Sequence, residues 1–564
     1  MVTAGSIISR EAPMSTAISA LGGVGLFLLG MTVMTQGLKA LAGSGLRAVL
    51  SKAAATPLRG SFWGALVTLL VQSSSATTMT TIGLVSAGLL TFPQGLGLVF
   101  GANVGTTGTS WLVALIGVRV SLTAAAMPMI FAGALIMLLA SGRISGAGAA
   151  LAGFGLVLFG LTTLQQGMGG LAERMHPADF PAVLAGPDAP WWRGLLGTLA
   201  LVLAGLVMTA VMQSSTAAVA VTLSAYFASA IGLDQGCALI IGQNIGTATS
   251  SALAAIGAST TAKRLAVAYV LFKLIAAVIA LLLFPIVTPL LMQASQTVDG
   301  VTLLAAYHTA YNLVGVVVLL PPIDRFTRLV ERILPERGSP LTRGLDRSAL
   351  ATPVVAVEAV RRTTARALSA VCASIETALV SQIRDEPVRQ QDVISVREAG
   401  DALRQAQVFL SDVAGPPETE DEQRRLTSTL HALDHASRLA EAAVGTDFKV
   451  VQGGPDDLRA DGLCAHAMGL AISIADDIGA PAGIAPSAEK MTSAYELLLQ
   501  LEHFAAELET LQRTHRSATL SAVANGTLTA DVAIARVDTM RSLQALTRHA
   551  WRATVHLVGR ENQQ

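Results

Sequence analysis

The sequence predicts an all-α chain in two parts: a polytopic membrane protein of two inverted repeats with re-entrant or broken helices, then a soluble antiparallel helical bundle. Three observations predict it. Of 564 residues, 52% are hydrophobic and only 13% charged, with a positive mean hydropathy, a membrane composition despite a length that would otherwise suggest several soluble domains. A polar Gln-Ser-Ser stretch inside an apolar run occurs twice. Charge is uneven as well: residues 1–335 hold 8 Asp plus Glu and 15 Lys plus Arg, although the whole chain balances at 38 of each.

The duplication is dense. Gln72-Ser73-Ser74-Ser75-Ala76-Thr77-Thr78 returns as Gln213-Ser214-Ser215-Thr216. Gly101-Ala102-Asn103-Val104-Gly105-Thr106-Thr107 returns as Gly242-Gln243-Asn244-Ile245-Gly246-Thr247. Both pairs are offset by 141 positions (213 less 72, 244 less 103), whereas Leu21 to Gly37 and Leu151 to Gly167 are offset by 130. The second copy has therefore gained residues before its Gln-Ser stretch.

In chain order, residues 17–38 read as a first span, read as mature because no cleavage pattern precedes it. Residues 60–116 form a long apolar region broken by the serines, by Phe92-Pro93 and by Asn103-Val104-Gly105. Such breaks suggest re-entrant hairpins or broken helices, because unpaired backbone survives in a bilayer only where protein buries it or a cavity solvates it. Residues 121–141 and 147–170 read as simple spans; 194–257 repeat the broken pattern, and spans follow at 265–291 and 302–320. The domain boundaries are a transmembrane domain at 15–325, with repeats at about 17–141 and 147–291 and an extra span at 302–320, a linker at 326–344, and the bundle at 345–560.

Loop charge gives the orientation. Lys39, Arg47, Lys52 and Arg59 follow the first span with no acid among them, which places that loop in the cytoplasm. The equivalent loop of the second copy carries Glu173, Asp179 and Asp188 against Arg174 and Arg193, and is expected outside. Equivalent loops on opposite sides mean that the copies run in opposite directions. Lys263-Arg264 then fall inside, Asp299 outside, and Arg325, Arg328 and Arg332 inside, so the carboxy-terminal part is cytoplasmic.

Past Pro335, no strand signal competes with amphipathic helix. Ala494, Leu497, Leu501, Phe504, Leu508 and Leu511 recur at three- and four-residue steps, and breaks such as Glu386-Pro387, Gly415-Pro416-Pro417 and Gly453-Gly454-Pro455 divide the region into about six helices. Cys237, Cys372 and Cys464 are scattered, with no disulfide framework or zinc spacing.

Polar breaks at equivalent places of two repeats point to a transport site at the repeat interface. Helix starts and serine and threonine hydroxyls suit a small oxyanion. Amide oxygens of Gln72, Gln213, Asn103 and Asn244 are hard neutral ligands suited to sodium, and no Asp or Glu lies in the four stretches, so a metal cation is favoured over a proton relay as the coupling ion. The bland alternative is that small residues merely let helices pack closely; it suits a single hydroxyl, and Thr77, Thr78, Thr106, Thr107 and Thr247 stand between the two readings, but packing does not require Gln at the same place twice.

Gln-Ser-Ser-Ser and Gln-Ser-Ser-Thr, each followed by Gly-x-Asn-x-Gly-Thr, resemble the sodium/phosphate cotransporter family, the bacterial relatives of the type II transporters, over roughly residues 15–325. The resemblance implies sodium-coupled uptake of inorganic phosphate, with Na+ as coupling ion and no other cofactor. Its implied site is Gln72, Ser73, Ser74, Ser75, Thr77, Asn103, Gly105 and Thr106 with Gln213, Ser214, Ser215, Thr216, Asn244, Gly246 and Thr247. His308 and Asn312 are added from Ala306-Tyr307-His308-Thr309-Ala310-Tyr311-Asn312, which resembles the family's Ala-His-x-x-Phe-Asn pattern. The second copy departs from that pattern at Ala268-Tyr269-Val270-Leu271-Phe272-Lys273, which puts an intramembrane lysine where a structural role is favoured over a direct one.

The bundle resembles a PhoU-like domain by helix number and position. His431, Asp434 and His435 lie in a segment resembling a PhoU helix that can carry metal ligands, although Asp434 does not share the histidine face and surface histidines are common. No phosphate loop, nucleophile elbow or paired carboxylates suggest an enzyme. The expected function is a sodium/phosphate symporter of the bacterial cytoplasmic membrane, with the bundle regulatory through a cytoplasmic partner or a second copy; no nucleic acid is expected. A phosphate sensor, or an exporter or carrier of another oxyanion, are the alternatives.

Overall fold

In the computed structural model, residues 5–42, 55–116, 122–173, 176–183, 190–256, 260–335, 339–350, 352–384, 394–413, 419–445, 454–480 and 488–559 are described. All regular structure among them is helical. Most of the 39–59 loop, Arg174, Asp188 and the breaks at Glu386-Pro387 and Gly415-Pro416-Pro417 lie outside the described residues. Contacts divide the chain into two units, Met1–Thr81 with Phe92–Pro335, and Ile82–Thr91 with Glu336–Gln564.

In the first unit the apolar segments become α1 (Gly5–Ala42), α2 (Pro57–Val71), α3 (Ser74–Ser86, whose last turns group with the second unit), α4 (Phe92–Thr106), α5 (Gly108–Ile116), α6 (Leu122–Leu139) and α7 (Gly142–Ala172). The second copy follows with α8 (Trp191–Met212), α9 (Ser215–Phe227) and α10 (Leu233–Ala254), then α11 (Thr260–Ala294), α12 (Gly300–Leu319) and α13 (Ile323–Ile333). Six helices among the described residues are long and apolar enough to cross a membrane: Thr16–Ala42, Phe92–Leu115, Gly142–Ala172, Trp192–Met212, Thr260–Ala294 and Gly300–Leu319. The segment expected as a simple span at 121–141 is shorter, an 18-residue helix with Pro128 inside it.

Why α1 and α7 pair is written in their glycines. A Cβ on Gly23, Gly30 or Gly37 would meet the backbone of Leu164, Val157 or Ala150 at 2.3–2.5 Å, and one on Gly153, Gly160 or Gly167 would meet Met34, Phe27 or Ala20 at 2.2–2.4 Å. These glycines recur every seven residues on both helices, and partner numbers fall as glycine numbers rise. The two helices, one from each copy, therefore run antiparallel with their backbones touching, the arrangement small residues permit where the surrounding solvent gives no hydrophobic drive.

One helix pairing recurs in both copies. α2 packs on α4 as α8 packs on α10. A Cβ on Gly101 would fall 1.8 Å from Ser61 O, and one on Gly242 1.8 Å from Val202 O, its counterpart 141 positions on. α12 packs against α4, α5, α10 and α11, and side chains of both copies enter one apolar core that includes Phe27, Leu161, Leu223, Ile240 and Leu304.

In the second unit a short helix, α14 (Arg347–Leu350), precedes α15 (Pro353–Arg384), α16 (Val396–Ser411), α17 (Glu420–Gly445), α18 (Pro455–Gly479), α19 (Ala488–Ala524) and α20 (Ala530–Val558). α15 packs on α16, α17 and α18, and α20 on α17, α18 and α19. On α19 the buried stripe runs Leu498, Leu501, Leu508 and Leu511, with Leu497 only half-buried. Three consecutive leucines left the phase of that helix open to a one-residue error. The turn Ile82–Thr91 is held in this unit by Arg362 Nη1, which donates to Gly88 O at 2.9 Å.

Candidate functional site

Each Gln-Ser stretch breaks a helix by the same device. α2 ends at Gln72 with φ 56° and α8 ends at Gln213 with φ 51°, both in the left-handed region that side chains rarely adopt. Such a residue costs of order 1–3 kcal/mol and persists only where its surroundings fix it. The side-chain amide does so here: Nε2 of Gln72 donates back to Leu69 O, and Nε2 of Gln213 to Ala210 O. Oε1 of Gln72 accepts from Thr109 Oγ1 at 2.6 Å, and Oε1 of Gln213 from Ser250 Oγ at 2.9 Å, again 141 positions apart. The next residue restarts a helix, with Ser73 Oγ accepting from Ala76 N at 3.2 Å and Ser214 Oγ from Ala217 N at 3.3 Å. Ser74, Ser75, Ser215 and Thr216 consequently sit in the first turns of α3 and α9.

Both breaks open into one cavity of about 410 Å³ within the first unit. Its walls include Gln72 to Ser75, Thr78, Thr106 and Thr109 from the first copy, and Thr209, Gln213 to Thr216, Thr247, Ser250 and Ser251 from the second. No Asp or Glu is among its lining residues, and Lys39 is the charged one. Two helix amino termini, each the positive end of a dipole with unpaired N–H groups, with hydroxyls around them, form an environment that favours an anion.

Other expected site residues lie behind this lining. Thr77 is buried, accepting from Thr68 Oγ1 at 2.9 Å and donating to Ser73 O at 3.3 Å. Asn103 and Asn244 are 3% exposed and turn their Nδ2 groups onto Val99 O and Ile240 O. Their amide oxygens accept from Tyr269 OH at 3.0 Å and Lys273 Nζ at 3.1 Å. All four amide oxygens expected to face sodium thus already accept a bond from the protein. Gly105 and Gly246 serve helix contact, a Cβ on either falling 2.7–2.8 Å from the Cβ of Thr68 or Thr209.

His308 and Asn312 are also outside the cavity lining. His308 Nδ1 lies 2.7 Å from Ser110 Oγ, and Asn312 Oδ1 accepts from Lys273 Nζ at 3.2 Å. They tie α12 to α5 and α11 by interhelical hydrogen bonds.

One wall holds residues to which the sequence assigns no site role, including Lys39, expected in the loop after the first span but placed within α1. Thr32, Thr35, Gln36 and Lys39 on α1 line the cavity, with Tyr269 on α11. The signal was present, since positions 32, 35, 36 and 39 share one helical face of an otherwise apolar segment.

In the second unit His431 stacks on His556 with ring centroids 4.9 Å apart, and His435 Nδ1 lies 3.1 Å from His549 Nδ1. Asp434 instead pairs with Arg438 at 3.1 Å. Among the described residues no group of three or more His, Cys, Asp or Glu is arranged to hold a metal. Burial and the neighbouring histidines push the His435 imidazole down to about 4, and burial lowers His549 as well.

Residues 26–166 and 196–305, the segments that carry both breaks, match the family described as Na+/Pi-cotransporter. Together these segments, of 141 and 110 residues, make up 251 of the chain's 564. YqeW of Bacillus subtilis (strain 168), an uncharacterized protein, is 28% identical over 311 residues, covering 55% of this chain and 96% of that protein. YjbB of Escherichia coli (strain K12), named for inorganic phosphate export, is 28% identical over 451 residues, covering 76% of this chain and 77% of its own. The human sodium-dependent phosphate transport protein 2B is 47% identical over 62 residues, 11% of this chain and 9% of that one. No solved structure matches the chain.

Proposed function

We propose that this chain is a secondary transporter that carries inorganic phosphate across the bacterial cytoplasmic membrane coupled to sodium, with the helical second unit as a cytoplasmic regulatory domain. One observation carries the proposal: two helix amino termini, one per copy, deliver Ser74 and Ser75, and Ser215 and Thr216, to a single cavity without acids. Phosphate is a tetrahedral oxyanion of the size and charge such a cradle accepts. The remaining lone pairs of the Gln72 and Gln213 oxygens and nearby backbone carbonyls are the ligands available to sodium.

The antiparallel pairing of α1 with α7, equivalent helices of the two copies, supports opposed insertion of the repeats, as the loop charges do. Direction of net flux follows the gradients of phosphate, sodium and voltage, so a single site can serve either uptake or export. The test is uptake of radiolabelled phosphate into vesicles holding the purified chain, with external sodium or with potassium in its place. Uptake in sodium and none in potassium is expected. Equal uptake in both removes the coupling ion, and absence of uptake from correctly inserted protein removes the transport reading.

A further inference from the structure

Lys273 sits deep within α11, 2% exposed, and no carboxylate pairs with it among the described residues. It is no snorkelling side chain: roughly 20 Å of helix, at about 1.5 Å per residue, separates it from Thr260. Its Nζ donates to Asn244 Oδ1 at 3.1 Å and Asn312 Oδ1 at 3.2 Å, and lies 5.7 and 5.9 Å from the ring centroids of Tyr269 and Phe272. Two hard neutral oxygens and two π faces are the surroundings of a monovalent cation. The first copy differs, since the equivalent Asn103 oxygen accepts from the uncharged hydroxyl of Tyr269.

A buried ammonium whose contacts are all neutral costs several kcal/mol that its contacts only partly return. Methionine or leucine would fill the same volume but leave the Asn244 and Asn312 oxygens without that donor. We propose that Lys273 is a resident cation of the transport domain: its ammonium fills a monovalent-cation site formed by Asn244 and Asn312 and stands there in place of one coupling sodium. When protonated it also supplies positive charge behind the cavity wall made by Tyr269, and so favours the anion without contacting it. Lys273 is therefore a positioning residue, and its place in coupling rests on the sodium/phosphate reading above.

The site's cation preference can be read without transport. The full chain in detergent is melted in sodium chloride and in N-methylglucamine chloride, as wild type, Lys273→Ala and Lys273→Gln. Lys273→Ala leaves space between the two oxygens, and a sodium-specific rise in melting temperature larger than in the wild type is expected. Lys273→Gln fills the space with an uncharged amide, so no such gain is expected. In vesicles, the sodium order of phosphate uptake should rise by about one in Lys273→Ala. In Lys273→Gln the apparent phosphate affinity should fall about tenfold, as loss of a unit charge behind the cavity wall implies. A folded Lys273→Ala with wild-type sodium response overturns the proposal. If Lys273→Ala does not fold, wild-type phosphate affinity in Lys273→Gln overturns it equally. Should the wild type itself carry no phosphate, the transport reading has failed, and the sodium gain of Lys273→Ala still decides the cation site.

Discussion

Ser74 and Ser215 occupy the first turns of α3 and α9 and line the same cavity, so each can offer an anion a backbone N–H and a hydroxyl. Losing one partner of a hydrogen bond to a charged group costs on the order of 1.5–3 kcal/mol, roughly ten- to a hundredfold in affinity. Ser74→Ala and Ser215→Ala should each weaken apparent phosphate affinity by that factor in vesicle uptake, with melting temperature little changed. Near-normal uptake by both would place the anion elsewhere. A second residue-scale expectation concerns His435, faced by His549, His556, Asp434 and Arg438. Its imidazole titrates at about 4 in the folded unit against 6.5 ordinarily, so the unfolded chain binds the extra proton between those values. Stability should fall as pH drops from 6.5 toward 4. Asp461, raised to about 6 by burial, works in the opposite sense, its contribution lost as pH rises. His435→Gln isolates the histidine: the slope of melting temperature between pH 7 and 5 should flatten, and an unchanged slope would show that another group controls it.

At the scale of elements, the helix breaks were legible because Gln followed by Ser recurs in apolar surroundings, and a serine after a disrupted residue is a helix start. Their shared cavity was legible as a repeat interface, but its membership was not. Asn103 and Asn244 look like ligands in sequence, yet each lies within a helix and bonds to the carbonyl one turn back, behind the wall. Tyr269 and Lys273 reach those asparagines from α11, a tertiary pairing that no local pattern encodes. Thr32, Thr35, Gln36 and Lys39 were masked by the hydropathy of α1. The pairing of α1 with α7 makes a sharper demand. A Cβ at position 160 would stand 2.4 Å from Phe27 N, a backbone atom that cannot rotate away. Gly160→Val should therefore push the helices apart at a cost of about 1–3 kcal/mol or more, lowering the melting temperature, whereas Gly22→Ala, with open space around its Cβ, should leave it unchanged. Equal tolerance at both positions would mean that the helices do not touch there in the membrane.

On the scale of the whole molecule, the decisive question is whether the two copies traverse the bilayer in opposite senses. Three physical features bear on it. Equivalent loops carry opposite charge, basic after α1 and acidic after α7. Equivalent helices α1 and α7 pack antiparallel along their glycines. Equivalent Gln-Ser breaks face a common cavity, where a two-fold axis in the membrane plane would place a shared site. Opposed insertion puts Arg59 on the cytoplasmic side and Asp179 on the outer side. Cys237, Cys372 and Cys464 are all buried, and replacing them gives a clean background for Arg59→Cys and Asp179→Cys. In intact cells an impermeant thiol reagent should label the cysteine at 179 and spare that at 59, with the pattern reversed in inside-out vesicles. Labelling of both from one side would mean parallel copies, and the antiparallel α1–α7 contact would then need a different membrane path for one of those helices.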